Sequence, residues 1–268
     1  MRKLTENEFC EIVEYIYRKT GIVLNEKKIL IEGRLENYLV QKGYNTYHEF
    51  FDEVLNDSTG EKAAALVDRL TTNHTYFLRE KSHFDFFKET ILPEIKKKHA
   101  KEKDLRIWSA ACSTGEEPYT IAMYISDFFS LEQDWDTTIL ATDISRRVLE
   151  SAQKGIYLTE QVNVLPEVWQ RRYTKPLDEM HNQISHFLRK QVEFRLFNLM
   201  NPFPFKKKFQ CIFLRNVMIY FDAETKQRLI DKIYDALEPG GYLIIGQTES
   251  LDRTKTKFKY VMPSVFKK

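Results

Sequence analysis

Over the first 75 residues, apolar side chains recur at helical spacing, and no stretch alternates in the way typical of a strand. Thr5 and Glu8 have the spacing of a capping box, in which a hydroxyl and a carboxylate each satisfy a free amide at the start of a helix. Gly21 is a suitable end for that helix. Further helices are predicted at about 25–42, after Asn45 and at about 61–70. The pattern therefore predicts a small all-helical domain over residues 1–75.

After residue 75 the pattern changes to short apolar runs that alternate with amphipathic stretches. A helix at about 82–98 comes first. The expected strands lie at 105–110, 138–142, 192–197, 209–214 and 242–246, and the expected helices between them at 116–129, 145–154 and 223–237. Such alternation is typical of a parallel sheet with crossover helices on both faces, so residues 76–268 are predicted to form an α/β domain. The tail at 258–266 predicts a closing hairpin.

Residues 155–190 interrupt this alternation. The stretch is far longer than the roughly 2–6 residues usual for a connection in such folds. We therefore expect an inserted subdomain with structure of its own. An insertion on an α/β sheet either forms part of the substrate surface or is a purely structural addition, and the residues favour neither.

Charge and cysteine content argue against several classes of protein. The 41 basic and 39 acidic side chains give a net charge of +2, which provides no general attraction to nucleic acid. Three widely separated cysteines suit neither a disulfide framework nor a zinc site, and the six histidines show no metal-ligand spacing. The N-terminus lacks the apolar stretch of a signal peptide, and no apolar run approaches the ~20 residues that span a bilayer. We expect a cytoplasmic protein without a bound metal.

Glycine is scarce, with 9 among 268 residues, and neither of the usual multi-glycine phosphate-binding motifs occurs. In an open parallel sheet, ligands bind outside the carboxyl ends of the strands. The first such end runs into Gly115, Glu116 and Glu117. One glycine permits a tight turn, but two carboxylates would repel a diphosphate, so an uncharged or cationic nucleoside is the better ligand. By itself the segment could also be an ordinary strand-to-helix turn.

The other strand ends also carry polar side chains. Asp143 follows the second strand, where it could accept hydrogen bonds from ribose hydroxyls or cap the following helix. Asn198 and Leu199 follow the third strand, where an amide oxygen and a backbone N–H could contact the edge of an adenine. Arg215 and Tyr220 belong to the segment after the fourth strand. Four polar strand ends on one edge of a sheet indicate a binding site.

Four blocks of sequence stand out: TTNHTYFLRE at 71–80, WSAACSTGEEPY at 108–119, ATDI at 141–144 and RNVMIYF at 215–221. In these blocks, and over nearly its whole length, the chain resembles the CheR-type chemotaxis protein methyltransferases. The second block is the most specific, because it differs from the glycine-rich loop of most enzymes that use S-adenosylmethionine. The resemblance implies a Rossmann-like, S-adenosylmethionine-dependent methyltransferase fold, preceded by a helical domain and carrying a small insertion. It also implies S-adenosylhomocysteine as a product.

The resemblance further implies roles for individual residues. The expected cofactor site consists of Asn73, Thr75, Arg79, Gly115, Glu116, Glu117, Asp143, Asn198, Leu199, Asn216 and Val217. In it, Arg79 would pair with the methionine carboxylate of the cofactor, and Glu117, more than Glu116, would face its sulfonium or ammonium group. Tyr220 would lie beside the transferred methyl group. We expect Tyr220 and Arg215 to orient the incoming substrate carboxylate.

The reaction implied by the resemblance esterifies glutamate side chains on the cytoplasmic domains of methyl-accepting chemotaxis receptors. A glutamate side chain has a pKa near ~4.3, so it is ionised at neutral pH and needs no general base. The resemblance also implies a monomeric cytoplasmic enzyme that is recruited to receptor arrays through protein contacts. We expect no insertion into the membrane and no nucleic-acid partner.

Other functions remain open at this point. The chain could methylate a small molecule or RNA, or it could be a catalytically silent module that binds receptor tails through residues 155–190. Whether this insertion docks on a receptor's tethering peptide is open as well. On the second helix, Lys27 and Arg34 share one flank. That flank either steers an acidic receptor segment toward the enzyme or is a solvated helix shoulder.

Overall fold

The computed structural model describes residues 3–132 and 134–268. The N-terminal helices are α1 (Glu6–Thr20), α2 (Lys28–Lys42), α3 (Tyr47–Asn56) and α4 (Glu61–Leu70). The capping box that begins α1 is confirmed, since the Glu8 N–H donates to Thr5 Oγ1 at 3.3 Å and the Thr5 N–H donates to Glu8 Oε2 at 2.7 Å. Gly21 ends α1 in the left-handed region at φ +73°. The predicted all-helical region is therefore present.

The helices of this domain enclose a core of their own. Phe9, Ile12 and Ile16 of α1 are buried against residues of α2 and α3, such as Leu35 and Phe50. These positions are the apolar stripes that the spacing predicts, because residues three and four apart lie on one face of a helix.

In chain order, the second domain contains α5 (Ser82–Phe86), a π-helical turn (Phe87–Ile91), α6 (Leu92–Lys98), β1 (Ile107–Ala110), α7 (Glu116–Phe128), β2 (Ile139–Asp143), α8 (Arg146–Lys154), β3 (Ile156–Leu158), α9 (Thr159–Val162), α10 (Glu167–Tyr173), β4 (Thr174–Pro176), β5 (His181–Ile184), α11 (His186–Gln191), β6 (Val192–Leu196), β7 (Phe209–Leu214), a 3₁₀ turn (Met218–Tyr220), α12 (Ala223–Ala236), β8 (Leu237–Ile245), β9 (Lys259–Met262) and β10 (Val265–Lys267). The predicted helix at 82–98 is continuous but widens into the π turn just before Pro93, which has no N–H to donate.

The described residues form a seven-stranded sheet in the order β6-β2-β1-β7-β8-β10-β9. The first five strands are parallel, while β10 runs antiparallel to both β8 and β9. This confirms the predicted parallel sheet and closing hairpin. Successive side chains of β1 enter different cores, Ile107 on one face and Trp108 on the other, because helices cover both faces. The chain order reverses beside β1, and the crevice at such a reversal is where ligands of open α/β sheets bind.

The insertion has structure of its own, as predicted. Its strands form a small antiparallel sheet in the order β3-β5-β4. It is fixed to α7 by Asp127, which accepts hydrogen bonds from Trp169 Nε1 at 2.7 Å and from the Tyr173 hydroxyl at 2.6 Å. The ring of Trp169 also meets that of Tyr124 edge to face, with centroids 4.9 Å apart.

Among the described residues, we find no helix with the length and apolar character needed to cross a bilayer.

Candidate active site

A cavity of about 360 Å³ lies between the two domains, at the carboxyl ends of the parallel strands. The helical domain contributes the connection between α1 and α2, the Arg34 side chain and the chain that leaves α4. The sheet contributes the segments that follow β1, β2, β6 and β7. The four polar strand ends predicted from the sequence therefore do meet at one edge of the sheet.

The cavity brings together most of the side chains expected to form the site. Its lining includes Asn73, Thr75, Arg79, Glu117, Asp143, Asn198, Leu199, Arg215, Asn216, Val217 and Tyr220. These residues come from segments that are far apart in the sequence. Their individual contacts with a cofactor or a substrate stay predictions.

Gly115 and Glu116 are not among the side chains that line the cavity, and their expected contact with the cofactor stays a prediction. Gly115 has φ +98°, and a Cβ there would lie 2.9 Å from both the Ala152 Cβ and the Tyr157 hydroxyl oxygen. The glycine is needed because α8 and the insertion approach the turn so closely. Glu116 is 2% exposed, and its carboxylate accepts a hydrogen bond from Thr114 Oγ1 at 2.6 Å. Burial raises the pKa of this carboxyl group.

Asp143 is a buried carboxylate held by backbone amides. Its Oδ2 accepts from the Ser113 N–H at 2.9 Å and its Oδ1 accepts from the Ser145 N–H at 3.0 Å. Burial raises the pKa of Asp143, and these hydrogen bonds oppose the shift. Helix α8 is capped by the Ser145 hydroxyl, which accepts from the Val148 N–H, so Asp143 is not needed as the capping side chain. Each carboxylate oxygen of Asp143 has further lone pairs for a ligand hydroxyl.

Arg215 is enclosed by acidic side chains. Its Nη1 donates to Glu117 Oε2 at 2.9 Å, and its Nη2 donates to Glu80 Oε2 at 3.2 Å and to the Arg79 carbonyl oxygen. The guanidinium carbon lies 5.0 Å from the centroid of the Phe84 ring. Arg215 is only 6% exposed. Both terminal nitrogens are thus engaged within the protein, while the buried Nε has no hydrogen-bond partner among the described residues. Arg215 therefore holds Glu117, and its expected contact with the substrate carboxylate stays a prediction.

Glu117 and Glu80 are both tied to this arginine. Glu117 also accepts from the Ser109 hydroxyl at 2.7 Å, which fixes its second oxygen. Glu80 accepts from Asn216 Nδ2 at 3.2 Å and from the Gln247 N–H at 3.1 Å. Burial by itself would raise the pKa of Glu80, but Asn216 and Arg215 together hold it below its ordinary value.

Glu80 and Glu249 support the site, and the sequence motifs did not single them out. The Glu249 carboxylate accepts backbone N–H groups of Met218 at 2.7 Å, Gly246 at 2.7 Å and Asn216 at 2.9 Å. It thereby fixes the turn that carries Tyr220, although burial raises its pKa. Two sequence features pointed to these residues. Glu80 directly follows Arg79 in the sequence. Glu249 lies just beyond the last parallel strand, whose end was not among the four polar strand ends of the predicted site.

The side-chain amide of Asn198 is engaged in protein contacts. Its Nδ2 donates to the Lys19 carbonyl oxygen at 2.6 Å, and its Oδ1 accepts from the Met200 N–H at 2.9 Å. The side chain therefore joins the two domains, and the expected contact of its amide oxygen with an adenine stays a prediction.

The helical domain and the linker also contribute cations to the cavity lining. Arg34 donates to the carbonyl oxygens of Leu70 at 2.7 Å and Thr71 at 3.2 Å, and burial lowers its pKa. Arg79 donates to the His74 carbonyl oxygen at 2.8 Å. Lys27 also lines the cavity. Arg34 therefore orders the start of the linker that carries Asn73, whereas Lys27 is exposed, and whether this flank steers a receptor segment stays a prediction.

Comparison with known proteins agrees with this architecture. Residues 7–71 match the family model for the CheR methyltransferase all-alpha domain, and residues 73–266 match that for the CheR methyltransferase SAM-binding domain. A chemotaxis protein methyltransferase of Borreliella burgdorferi is 41% identical, over 99% of this chain and 95% of that protein. Chemotaxis protein methyltransferase 2 of Vibrio cholerae is 32% identical over 95% of this chain and 89% of that protein. Chemotaxis protein methyltransferase 1 of Pseudomonas aeruginosa is 34% identical over 96% of each chain.

Proposed function

Because the chain belongs to the CheR methyltransferase family, we propose that it transfers the methyl group of S-adenosylmethionine to glutamate side chains of chemotaxis receptors. The observation that carries this proposal is the charge arrangement of the interdomain cavity. The acidic Glu117 and Asp143 and the basic Arg34 and Arg79 line the same cavity. A sulfonium nucleoside with a carboxylate and an anionic substrate are complementary to a lining that carries both signs of charge.

The acidic side chains and one arginine of the lining suit the cofactor. Asp143 lines the cavity and keeps lone pairs beyond those that accept from the Ser113 and Ser145 N–H groups, so it would accept hydrogen bonds from the ribose hydroxyls. Glu117, fixed by Ser109 and Arg215, supplies a negative charge for the sulfonium or the ammonium group. Arg79 uses one nitrogen for the His74 carbonyl oxygen and keeps other donors for the methionine carboxylate. S-adenosylmethionine, when bound, supplies a methyl group that its sulfonium activates.

The residues near Tyr220 would receive the substrate. A glutamate carboxylate is already ionised at neutral pH, so the protein needs to align it and remove water rather than deprotonate it. The Tyr220 hydroxyl would donate to one carboxylate oxygen and leave the other free to attack. Arg215 acts indirectly by holding Glu117. Well-oriented reactants can gain about 7–11 kcal/mol from positioning alone, which is the main contribution that we assign to this chain.

The substrate determines the remaining parts of the proposal. Methylated glutamates on cytoplasmic receptor domains require an enzyme that works in the cytoplasm and reaches receptor arrays through protein contacts. The basic rim with Lys27 and Arg34 suits an acidic receptor segment. We also propose that the enzyme acts as a monomer.

The test is incubation with methyl-labelled S-adenosylmethionine and membranes that carry a candidate receptor, followed by alkali. Glutamyl methyl esters release labelled methanol under alkali, whereas methyl groups on nitrogen do not. The control receptor has its candidate glutamates replaced by alanine. Alkali-labile label on the intact receptor alone is the expected result. Cofactor binding without transfer would instead indicate a silent receptor-binding module, and label on a small molecule or on RNA would indicate a different substrate.

A further inference from the structure

The helical domain is paired through backbone hydrogen bonds with the segment that carries Tyr220. The Val23 N–H donates to the Tyr220 carbonyl oxygen at 2.9 Å, and Ile22 forms an isolated antiparallel bridge with Phe221. The residues just after α1 are therefore paired, through their backbone, with the turn after β7. A movement of one of these segments would be passed directly to the other.

A side chain from α1 reinforces this pairing. The Tyr17 hydroxyl donates to Asp222 Oδ2 at 2.6 Å, while Asp222 Oδ1 accepts from the Thr225 N–H at 2.7 Å and caps α12. Asp222 is two residues after Tyr220. The Tyr17 ring is 38% exposed and lies outside the cavity lining, so it has no direct access to a bound ligand.

The end of α1 fits closely against the second domain at this point. A Cβ on Gly21 would lie 2.8 Å from Met200 Sδ and 3.0 Å from Thr225 Cγ2. Asn198 reaches the Lys19 carbonyl oxygen in the same region. The last turn of α1 thus contacts the segments after both β6 and β7, and little space is left for these segments to shift.

We propose that Tyr17 is a positioning residue for methyl transfer. Through Asp222, Tyr17 fixes the start of α12 and thereby the 3₁₀ turn in which the Tyr220 hydroxyl is presented. The contacts that hold Asp143 on the cofactor side come from Ser113 and Ser145 and do not involve Tyr17 or Asp222. Loss of the Tyr17 hydroxyl should therefore slow transfer and leave cofactor affinity unchanged. This inference rests on the role that we propose for Tyr220.

The test compares Tyr17→Phe with Tyr15→Phe, which removes a hydroxyl from the same helix at a position that packs on Phe51 within the helical domain. For Tyr17→Phe we expect kcat for receptor methylation to fall roughly tenfold, since a displacement of about 1 Å can cost as much as a hundredfold. The Kd for S-adenosylmethionine, the KM for receptor and the Tm should stay close to those of the parent protein. Tyr15→Phe should keep the parent kcat.

Asp222→Asn provides the second variant, because an asparagine keeps the capping oxygen but not the charged acceptor for Tyr17. If the two residues act together, adding Tyr17→Phe to Asp222→Asn should cause no further loss of kcat. An unchanged kcat in Tyr17→Phe would overturn the proposal. A loss of kcat that is matched by equal losses in cofactor affinity and Tm would overturn it as well, since that indicates general destabilisation.

The variant Tyr220→Phe distinguishes a wrong role for Tyr220 from a wrong role for Tyr17. If Tyr220→Phe methylates receptor normally, the proposed role of Tyr220 is wrong and the inference about Tyr17 fails with it. If Tyr220→Phe is impaired while Tyr17→Phe is normal, only the inference about Tyr17 is wrong.

Discussion

The two sides of the interdomain cavity are held in different ways. On the cofactor side, Asp143 is fixed by the backbone amides of Ser113 and Ser145, which belong to adjacent strand ends. On the transfer side, Arg215 is fixed by carboxylates from distant segments, Glu80 and Glu117, and through Glu117 it also supports the proposed cofactor contact. The first arrangement needs only two neighbouring parallel strands. The second needs the correct packing of the linker, the start of α7 and the segment after β7, so it is more sensitive to substitution.

The largest expected effect comes from the transfer side. Arg215→Met removes the cation that Glu80 and Glu117 share, and both carboxylates are left buried without their main partner. We expect the free energy of unfolding to fall by about 3–5 kcal/mol, as is usual when one member of a buried ion pair is removed. Chemical denaturation measures the change.

Arg79→Met is the matched control, because Arg79 is less buried and donates to a single carbonyl oxygen in the structure. This substitution should lower the free energy of unfolding by less than about 1 kcal/mol, as is usual for the loss of a partly exposed polar contact. Equal losses from Arg215→Met and Arg79→Met would contradict the difference that we infer between the two arginines.

On the cofactor side, we expect a substitution of Asp143 to weaken the binding of S-adenosylmethionine. Asp143→Ala removes the acceptor that we assign to the ribose hydroxyls, so we expect the Kd for S-adenosylmethionine to rise about a hundredfold, as for the loss of charge-assisted hydrogen bonds. Asp143→Asn keeps one acceptor oxygen and should give an intermediate Kd. Calorimetric titration provides both values. If Asp143→Ala bound the cofactor as tightly as the parent protein, the ribose assignment would be wrong.

Lowering the pH should reduce the stability of the protein through His83 on the transfer side. His83 is 1% exposed and packed beside Arg215 and Glu80. Burial, and next the charge of Arg215, lower the pKa of His83 from 6.5 to about 4. Between these two values the unfolded chain binds a proton that the native chain does not, so stability falls as the pH falls from 6.5 to 4. The loss between pH 7 and pH 4.5 should be roughly 2.5 kcal/mol.

His83→Phe isolates this contribution, because the raised pKa values of Asp143, Glu116 and Glu249 act in both proteins. Those carboxyl groups oppose the loss, since the native state binds their protons first as the pH falls. The acid-dependent difference between parent and variant belongs to His83. Parallel stability curves for the two proteins would show that His83 does not contribute.

A smaller effect is expected at the glycine of the turn after β1. Gly115→Ala strains a residue at φ +98° and brings a methyl group against α8 and the insertion, so we expect a loss of about 1–2 kcal/mol in the free energy of unfolding. Because Gly115 lies outside the cavity, the Kd for S-adenosylmethionine should change less than threefold. A large change in Kd without a loss of stability would restore Gly115 to the cofactor site.

Most of the architecture could be predicted from the sequence. The helices of the first domain, the strands of the sheet, the closing hairpin and the separate structure of the insertion are all confirmed. Differences were local. Helix α2 begins at Lys28 rather than near Asn25, and the helix before β1 contains a π turn next to Pro93. The confirmed helices and strands follow from periodicity and capping, which depend on residues that are close together in the sequence.

The candidate site could be predicted only in outline. The sequence by itself determined that polar strand ends would meet at one edge, because parallel strands present their carboxyl ends together. Only the tertiary structure decided that Gly115 serves the insertion, that Arg215 is enclosed by Glu80 and Glu117, and that Tyr17 supports the turn of Tyr220. The physical reason is distance along the chain. Periodicity reflects contacts a few residues apart, whereas these contacts depend on how separate elements pack.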